Sequence, residues 1–266
     1  MRFFYPFNYN IARSLNSVLS PIFGRSGANC GMAEMDSISS GFVQAFRLIV
    51  TLDPEVLEIA GRTLQVSGIA TLVSVLIGFP LGTVLALTRF FGRGLLVSIV
   101  NFGMGLPPVV VGFVTWLLLM RYGPLGVLGL LYTPAAMIIA QAVIASPIVA
   151  GFTLAAVQSI DPKLRLQILS LGTTRIQYLL LLLWESRPGI LAAVIAGFGR
   201  VLGEVGASMM VGGNIRGYTR VLTTATVLEV SKGKFELAAG LSIILLVLSF
   251  FIMAALSHLQ QRGSQP

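Results

Sequence analysis

Long runs without a charged residue limit what this chain can fold into more than any other feature. Residues 63–88, between Arg62 and Arg89, are all uncharged, as are residues 94–120, between Arg93 and Arg121. Each run is long enough to cross a hydrocarbon core of about 30 Å as one helix. The next uncharged stretch, 122–160, exceeds one crossing. It opens with Gly123-Pro124 and further glycines, which predicts a loop and then a helix over about 131–157. A fourth span is expected over about 188–211, despite Arg200 and Glu204, and a fifth over about 237–256. The expected fold is therefore all-α: an integral membrane bundle of about five transmembrane helices.

Composition excludes the main rivals. Hydrophobic residues make up 55% of the chain and charged residues 11%, where a soluble domain carries about 25% charged. A water-soluble fold has no place for so much apolar surface; lipid does. The net charge of +8 does not point to nucleic acid, because the basic residues are scattered between apolar runs and form no stripe. In a membrane protein they collect at helix ends and cytoplasmic loops. Cys30 and His258 are the only cysteine and histidine. No intrachain disulfide or Cys/His metal site is possible, and the commonest general base is missing from the apolar segments. No catalytic residue and no metal ligand is therefore expected.

The N-terminus has no continuous apolar stretch of the kind a secretory signal needs. Residues 1–41 read either as a flexible tail or as a mis-called start, with translation beginning at Met32 or Met35. Residues 42–52 suit a helix lying along the interface, ended near Asp53-Pro54. Charge alone leaves orientation open. Arg89, Arg93, Lys163, Arg165, Arg175 and Arg187 argue for cytoplasmic loops, but the segment after the fourth span carries Arg216, Arg220, Lys232 and Lys234.

The segment 158–187 holds more structure than a simple connection needs. Asp161 is suited to cap free N–H groups, and Pro162 fits a first helical turn without losing a bond. Lys163 to Leu171 then reads as a short amphipathic helix, ended by Gly172. Thr173-Thr174-Arg175 leads into an apolar run, and Arg187-Pro188-Gly189-Ile190 opens the fourth span.

This segment resembles the EAA loop of ABC-importer permeases, the membrane subunits of ATP-driven uptake systems. In that family a short coupling helix docks on the ATPase, and a glycine separates it from the next helix. Leu171-Gly172, Leu182 and Arg187-Pro188-Gly189-Ile190 match; Leu166-Gln167-Ile168 stands where Glu-Ala-Ala is usual, and Trp184-Glu185 replaces the usual Leu-Pro. The resemblance implies ATPase coupling by Asp161, Pro162, Leu164, Gln167, Ile168, Leu171 and Gly172. Two further segments narrow the family. Gly105-Leu106-Pro107-Pro108-Val109-Val110-Val111-Gly112 looks like the double-proline segment of oxyanion permeases. Gly203-Glu204-Val205-Gly206-Ala207, Gly212-Gly213-Asn214-Ile215 and Thr219 to Ala225 are similar to permeases for tungstate and, more distantly, molybdate. The resemblance covers about residues 40–260. It implies a permease domain over 42–260, with a coupling loop at 158–187 and a tail at 261–266.

Candidate translocation residues follow. Pro107 and Pro108, near Gly112, are expected to kink the second span, either lining the path or simply packing against neighbours. Arg200 and Glu204, four apart, are expected to share a helical face and pair, as a structural unit or beside the anion route. Glycines around them, including Gly199 and Gly203, permit close helix contact or a dimer seam. Asn214, Arg216, Thr219, Arg220, Thr223 and Thr224 lie in what reads as a loop, 212–236, and offer donors suited to an oxyanion, although an ordinary external loop has the same composition.

No G-x-x-x-x-G-K-[ST] phosphate loop occurs in the chain. As an importer subunit it would need a separate cytoplasmic ATPase carrying ATP and Mg, an extracytoplasmic oxyanion-binding protein, and a second copy of itself. The expected setting is membrane lipid, in the cell membrane of a prokaryote. Tungstate is the expected substrate; molybdate or another oxyanion, and an ion-coupled carrier or channel, are the alternatives.

Overall fold

A computed structural model of the chain describes residues 54–263. The expectations for 1–41 and 42–52 lie outside the described residues. Among the described residues the chain is helical, with no strand. Three helices are each long and apolar enough to cross a membrane: α1 (Pro54–Leu87), α4 (Pro134–Gln158) and α10 (Phe235–Gly263). Two further pairs of helices pass the same test only when joined across a bend, which gives up to five spans.

The first span begins earlier than the uncharged run predicts. Pro54 opens α1, and Glu55, Glu58 and Arg62 ride on its first turns instead of marking its end. A helix of 34 residues is about 51 Å long at 1.5 Å per residue. It outreaches the hydrocarbon, so its charged first turns sit beyond it. Similarly, α10 runs to Gly263, past the expected end of the permease domain at 260.

The second span departs further from expectation. Instead of one kinked helix there are α2 (Arg93–Met104) and α3 (Pro108–Leu119), bent by 102°. Successive prolines explain the break: each disfavours the α conformation in the residue before it. Pro107, ahead of Pro108, takes an extended ψ of 123°. Pro108 then stands in the first turn of α3, where its missing N–H costs nothing. The prolines start a helix here and do not deform one. A 3-10 turn, Gly126–Leu128, leads on toward α4.

After α4 come two short helices, α5 (Pro162–Ser170) and α6 (Arg175–Glu185), and then α7 (Arg187–Leu202), which meets α6 at 63°. The expected fourth span, 188–211, is interrupted: α7 stops at Leu202, and a seven-residue α8 (Gly206–Gly212) follows. The expected loop 212–236 also differs, since it contains a ten-residue helix, α9 (Leu222–Ser231).

At the centre stands α4, which touches α1, α2, α3, α7 and α8. Its closest neighbour is α1, and glycine permits the approach. A Cβ at Gly78 would lie 2.6 Å from the Ser146 carbonyl oxygen, and one at Gly82 would lie 2.4 Å from that of Ala150. This small-xxx-small pair lets α1 and α4 approach closely. Gly199 also stands in a close helix contact, facing Met253 of α10, while Gly203 has only its own α7 carbonyl nearby among the described residues.

Candidate functional site

Both ends of α1 carry candidate residues. At its C-terminal end the chain builds α5. Asp161 Oδ1 accepts from the Lys163 N–H at 2.8 Å, Pro162 occupies the first turn, and Gly172 closes the helix with φ of +68°. Thr174 then starts α6 with a reciprocal cap, its hydroxyl accepting from Gln177 N–H while the Gln177 side chain accepts from Thr174 N–H. The helix has two unlike faces. Ile168 is buried with Val157, Ile160 and Leu182, and Leu164 packs on the same cluster. Gln167 and Leu171, with Leu166 and Leu169, are exposed. Of the seven predicted coupling residues, Leu164 and Ile168 thus anchor the helix to its own chain. Leu166 and Leu169, which the match to the family motif did not single out, face outward.

In the middle of the bundle the two interrupted segments meet. α3 packs against α8, and a Cβ at Gly112 would stand 2.6 Å from the Ala207 Cα. Gly206 in turn lies against Val109. Gly112 is thus placed in a helix–helix contact, with Pro107 and Pro108 at the head of α3. Irregular backbone at membrane depth needs protein or a wet cavity around it, and here each break packs on the other segment.

Glu204 lies in the second break, off any helix, so the expected pair with Arg200 is not made. Arg200 is exposed and forms no ion pair among the described residues. Glu204 is buried, and its Oε1 accepts from Ala207 N–H at 2.9 Å, capping α8. Its carbonyl oxygen accepts from the Thr223 hydroxyl at 3.2 Å. A carboxylate that satisfies a free N–H of the next helix explains the acid without an arginine.

At the N-terminal end of α1 the remaining candidates gather. Thr219 is fully buried; its hydroxyl donates to the Gly212 carbonyl at 2.6 Å and accepts from Ile215 N–H at 2.9 Å. The Thr224 hydroxyl donates to Asn214 Oδ1 at 3.0 Å and accepts from Val221 N–H, while Asn214 Nδ2 donates to the Thr224 carbonyl. Asn214 takes a left-handed φ of 51°. These donors are engaged in shaping the loop. Arg216 reaches Glu55 at 2.5 Å and Arg220 reaches the same carboxylate at 3.7 Å. Glu55, first by hydrogen bond and then by charge, holds the Arg216 guanidinium above its ordinary range. Arg62, paired with Glu58 at 2.9 Å, also donates to the Tyr218 carbonyl oxygen. The loop is thus pinned by ion pairs to the first turns of α1, and Thr63 adds another tie by accepting from Leu222 N–H.

Sequence reasoning passed over one interior contact. Gln141 of α4 is buried, and its Nε2 donates to the Ser208 hydroxyl of α8 at 2.9 Å, while its Oε1 has no partner among the described residues. The available signal was an amide inside an apolar run.

Residues 78–265 match the family described as binding-protein-dependent transport system inner membrane component. The tungstate uptake system permease protein TupB of Peptoclostridium acidaminophilum is 37% identical over 85% of this chain and all of its own length. A probable anion ABC transporter permease protein of Haloferax volcanii is 39% identical over 77% of this chain and 90% of its own. In fold, the chain is similar to a protein of the MetNI methionine ABC transporter, with a TM-score of 0.68 at 20% identity. That match covers 81% of this chain and 99% of the other. The chain belongs to the family of binding-protein-dependent transport system inner membrane components, as a multi-pass permease subunit of an ABC importer.

Proposed function

We propose that this permease carries tungstate inward, as one of two copies in an importer driven by a separate cytoplasmic ATPase. The observation that carries the substrate is the full-length likeness to a tungstate uptake permease, beside a second relative named for anions. The coupling proposal rests on α5. Its outer face sets Leu166, Leu169 and Leu171 in solvent while Leu164 and Ile168 hold it to the bundle, which suits a helix seated in another protein's groove. ATP and Mg would act on that partner, and an oxyanion-binding protein would meet the opposite end, near Asn214 to Arg220. ATP-driven closure of the ATPase pair shifts the permease between its two facings only through a difference in affinity for them.

Arg216 and Arg220 are proposed to attract a tetrahedral dianion without holding it tightly, since a transport site must release its ion. Their shared carboxylate, Glu55, moderates that pull. Cells carrying the whole system should accumulate tungsten from trace tungstate, and deletion of this subunit should abolish the accumulation. Molybdate should compete more strongly than sulfate. Elemental analysis of washed cells decides the point. Unchanged tungsten in the deletion strain, with loss of another solute, removes tungstate and leaves the permease standing.

A further inference from the structure

Three arginines converge at the C-terminal end of α1, and among the described residues no carboxylate pairs with them. A cavity of about 310 Å3 is bounded by the last turn of α1, Arg89 of the α1–α2 link, Arg93 at the start of α2, Gln158 and Arg165. Arg93 Nε donates to the Leu85 carbonyl at 2.7 Å, and Arg165 Nη2 to the Val157 carbonyl at 2.5 Å. Each guanidinium therefore folds over the C-terminal turn of a membrane helix, α1 or α4, where carbonyls lack partners. That contact explains one donor of the five each carries. Arg165 Nε is buried with no acceptor, and none of the three arginines forms an ion pair among the described residues. Arg93 and Arg165 are half-buried and Arg89 is exposed; three guanidiniums gathered round one partly desolvated cavity without a counter-charge favour a bound anion.

What kind of anion follows from the groove beside it. An apolar groove of about 500 Å3 runs between α1, α2 and α4, with Ile77, Leu81, Ile99, Val143 and Pro147 among its walls. Leu81 and Ile99 lie six positions from Leu87 and Arg93, about 9 Å along their helices. The groove thus starts just deeper in the membrane than the arginines. Phe91 on the link and Leu95 on α2 are exposed close to Arg89 and Arg93 in sequence. A basic pocket at headgroup depth, with an apolar groove about 9 Å deeper along the same two helices, suits the head and tail of a lipid. A free oxyanion would use the arginines and leave the groove without purpose.

We propose that this pocket and groove bind an anionic phospholipid, the phosphate among Arg89, Arg93 and Arg165 and one acyl chain along Leu81 and Ile99. Because Arg165 belongs to α5, the bound phosphate ties that helix to the α1–α2 link.

The assembled transporter, purified in detergent, is to be titrated with phosphatidylglycerol, with phosphatidylcholine of the same chains, or with inorganic phosphate. Retained lipid is read by native mass spectrometry and stability by thermal melting. Phosphatidylglycerol should be retained about tenfold or more over phosphatidylcholine and should raise the melting midpoint. Phosphate alone should do neither. The double variant Arg89→Gln, Arg93→Gln should bring phosphatidylglycerol down to the phosphatidylcholine level. Ile99→Trp, which fills the groove and leaves the charge intact, should weaken retention of both lipids. Equal retention of the two lipids by the unmodified protein overturns the proposal, as does a double variant that retains phosphatidylglycerol unchanged. Full stabilisation by phosphate alone also overturns it, in favour of a soluble oxyanion. An Ile99→Trp protein that changes oligomeric state with lipid retention intact gives the groove to a second copy instead. Should the double variant fail to assemble, the two-lipid comparison and Ile99→Trp still decide.

Discussion

Glu204 stands where α7 stops and α8 begins, and its carboxylate closes the first turn of the second helix through Ala207 N–H. If that bond is its work, the oxygen matters and the charge does not. Glu204→Gln, which keeps a carbonyl acceptor, should leave the melting midpoint of the detergent-solubilised protein nearly unchanged. Glu204→Ala should cost about 0.5–2 kcal/mol, as loss of a cap does. A large loss of uptake in the Gln variant, with stability intact, would show a role for the charge in transport. Gly172 is a second residue with a sharp requirement. Its φ is +68° with open space where a Cβ would stand, so a substitution meets backbone strain and no neighbour. Valine should cost about 1–2 kcal/mol in that conformation, and asparagine far less. Gly172→Val is expected to insert normally yet lose ATPase association or uptake, and Gly172→Asn to retain both; copurification with the ATPase reads the difference. Asp161 and Gly172 were legible in the sequence because a cap and a left-handed terminator act within a few residues. Glu204 was not, because pairing it with Arg200 assumed a continuous helix.

At the scale of helices, what could be read was hydrophobic length, and what could not was continuity. α4 and α10 fall close to the expected 131–157 and 237–256, since long uncharged runs leave a chain in lipid no other way to satisfy its backbone. The same reasoning joined α2 to α3 and α7 to α8. Uncharged residues continue through both breaks or nearly so, and hydropathy does not register a turn that the neighbouring segment shields. Pro107-Pro108 marked the first break but suggested a kink, whereas the bend is 102°. Small-xxx-small patterns recur in this chain, and only packing shows which of them brings α1 and α4 together. Gly78 and Gly82 are the pair on which α1 and α4 close. A Cβ at Gly82 would meet both the Ala150 carbonyl oxygen at 2.4 Å and Thr153 Cβ at 2.8 Å, and backbone cannot rotate aside. Gly82→Val should therefore force α1 and α4 apart and cost about 1–3 kcal/mol, whereas Gly199→Ala, facing the flexible end of Met253, should be nearly silent. Thermal melting of the two variants in one detergent compares them. Equal effects would mean the α1–α4 contact is not the main seam.

At the scale of the whole molecule, α1 connects two recognisable ends, which ties together the sides that charge counting left open. Its first turns hold the loop carrying Arg216, Tyr218 and Arg220 through Glu55 and Arg62. Its last turn borders Gln158 and Arg165 beside α5. From Arg62 to Leu87 a helix rises by about 38 Å, more than the hydrocarbon thickness of about 30 Å. The two clusters therefore lie on opposite faces of the membrane, whatever number of spans the bent pairs are counted as. If α5 docks on an ATPase, the Arg216–Arg220 loop faces outward and its basic residues are exceptions to the positive-inside tendency. The pairing of Arg216 and Arg220 with Glu55 makes that exception intelligible, since part of their charge is met on the spot. Single cysteines test the arrangement in a Cys30→Ser background. Ser170 is exposed on α5, and Tyr218 is exposed in the opposite loop, unlike its buried neighbour Thr219. In intact cells a membrane-impermeant maleimide should label Tyr218→Cys and spare Ser170→Cys until the membrane is opened. Labelling of both from outside would place the two clusters on one face and break the span assigned to α1. Labelling of Ser170→Cys alone would keep that span but invert the molecule, and with it the assignment of α5 to the ATPase side.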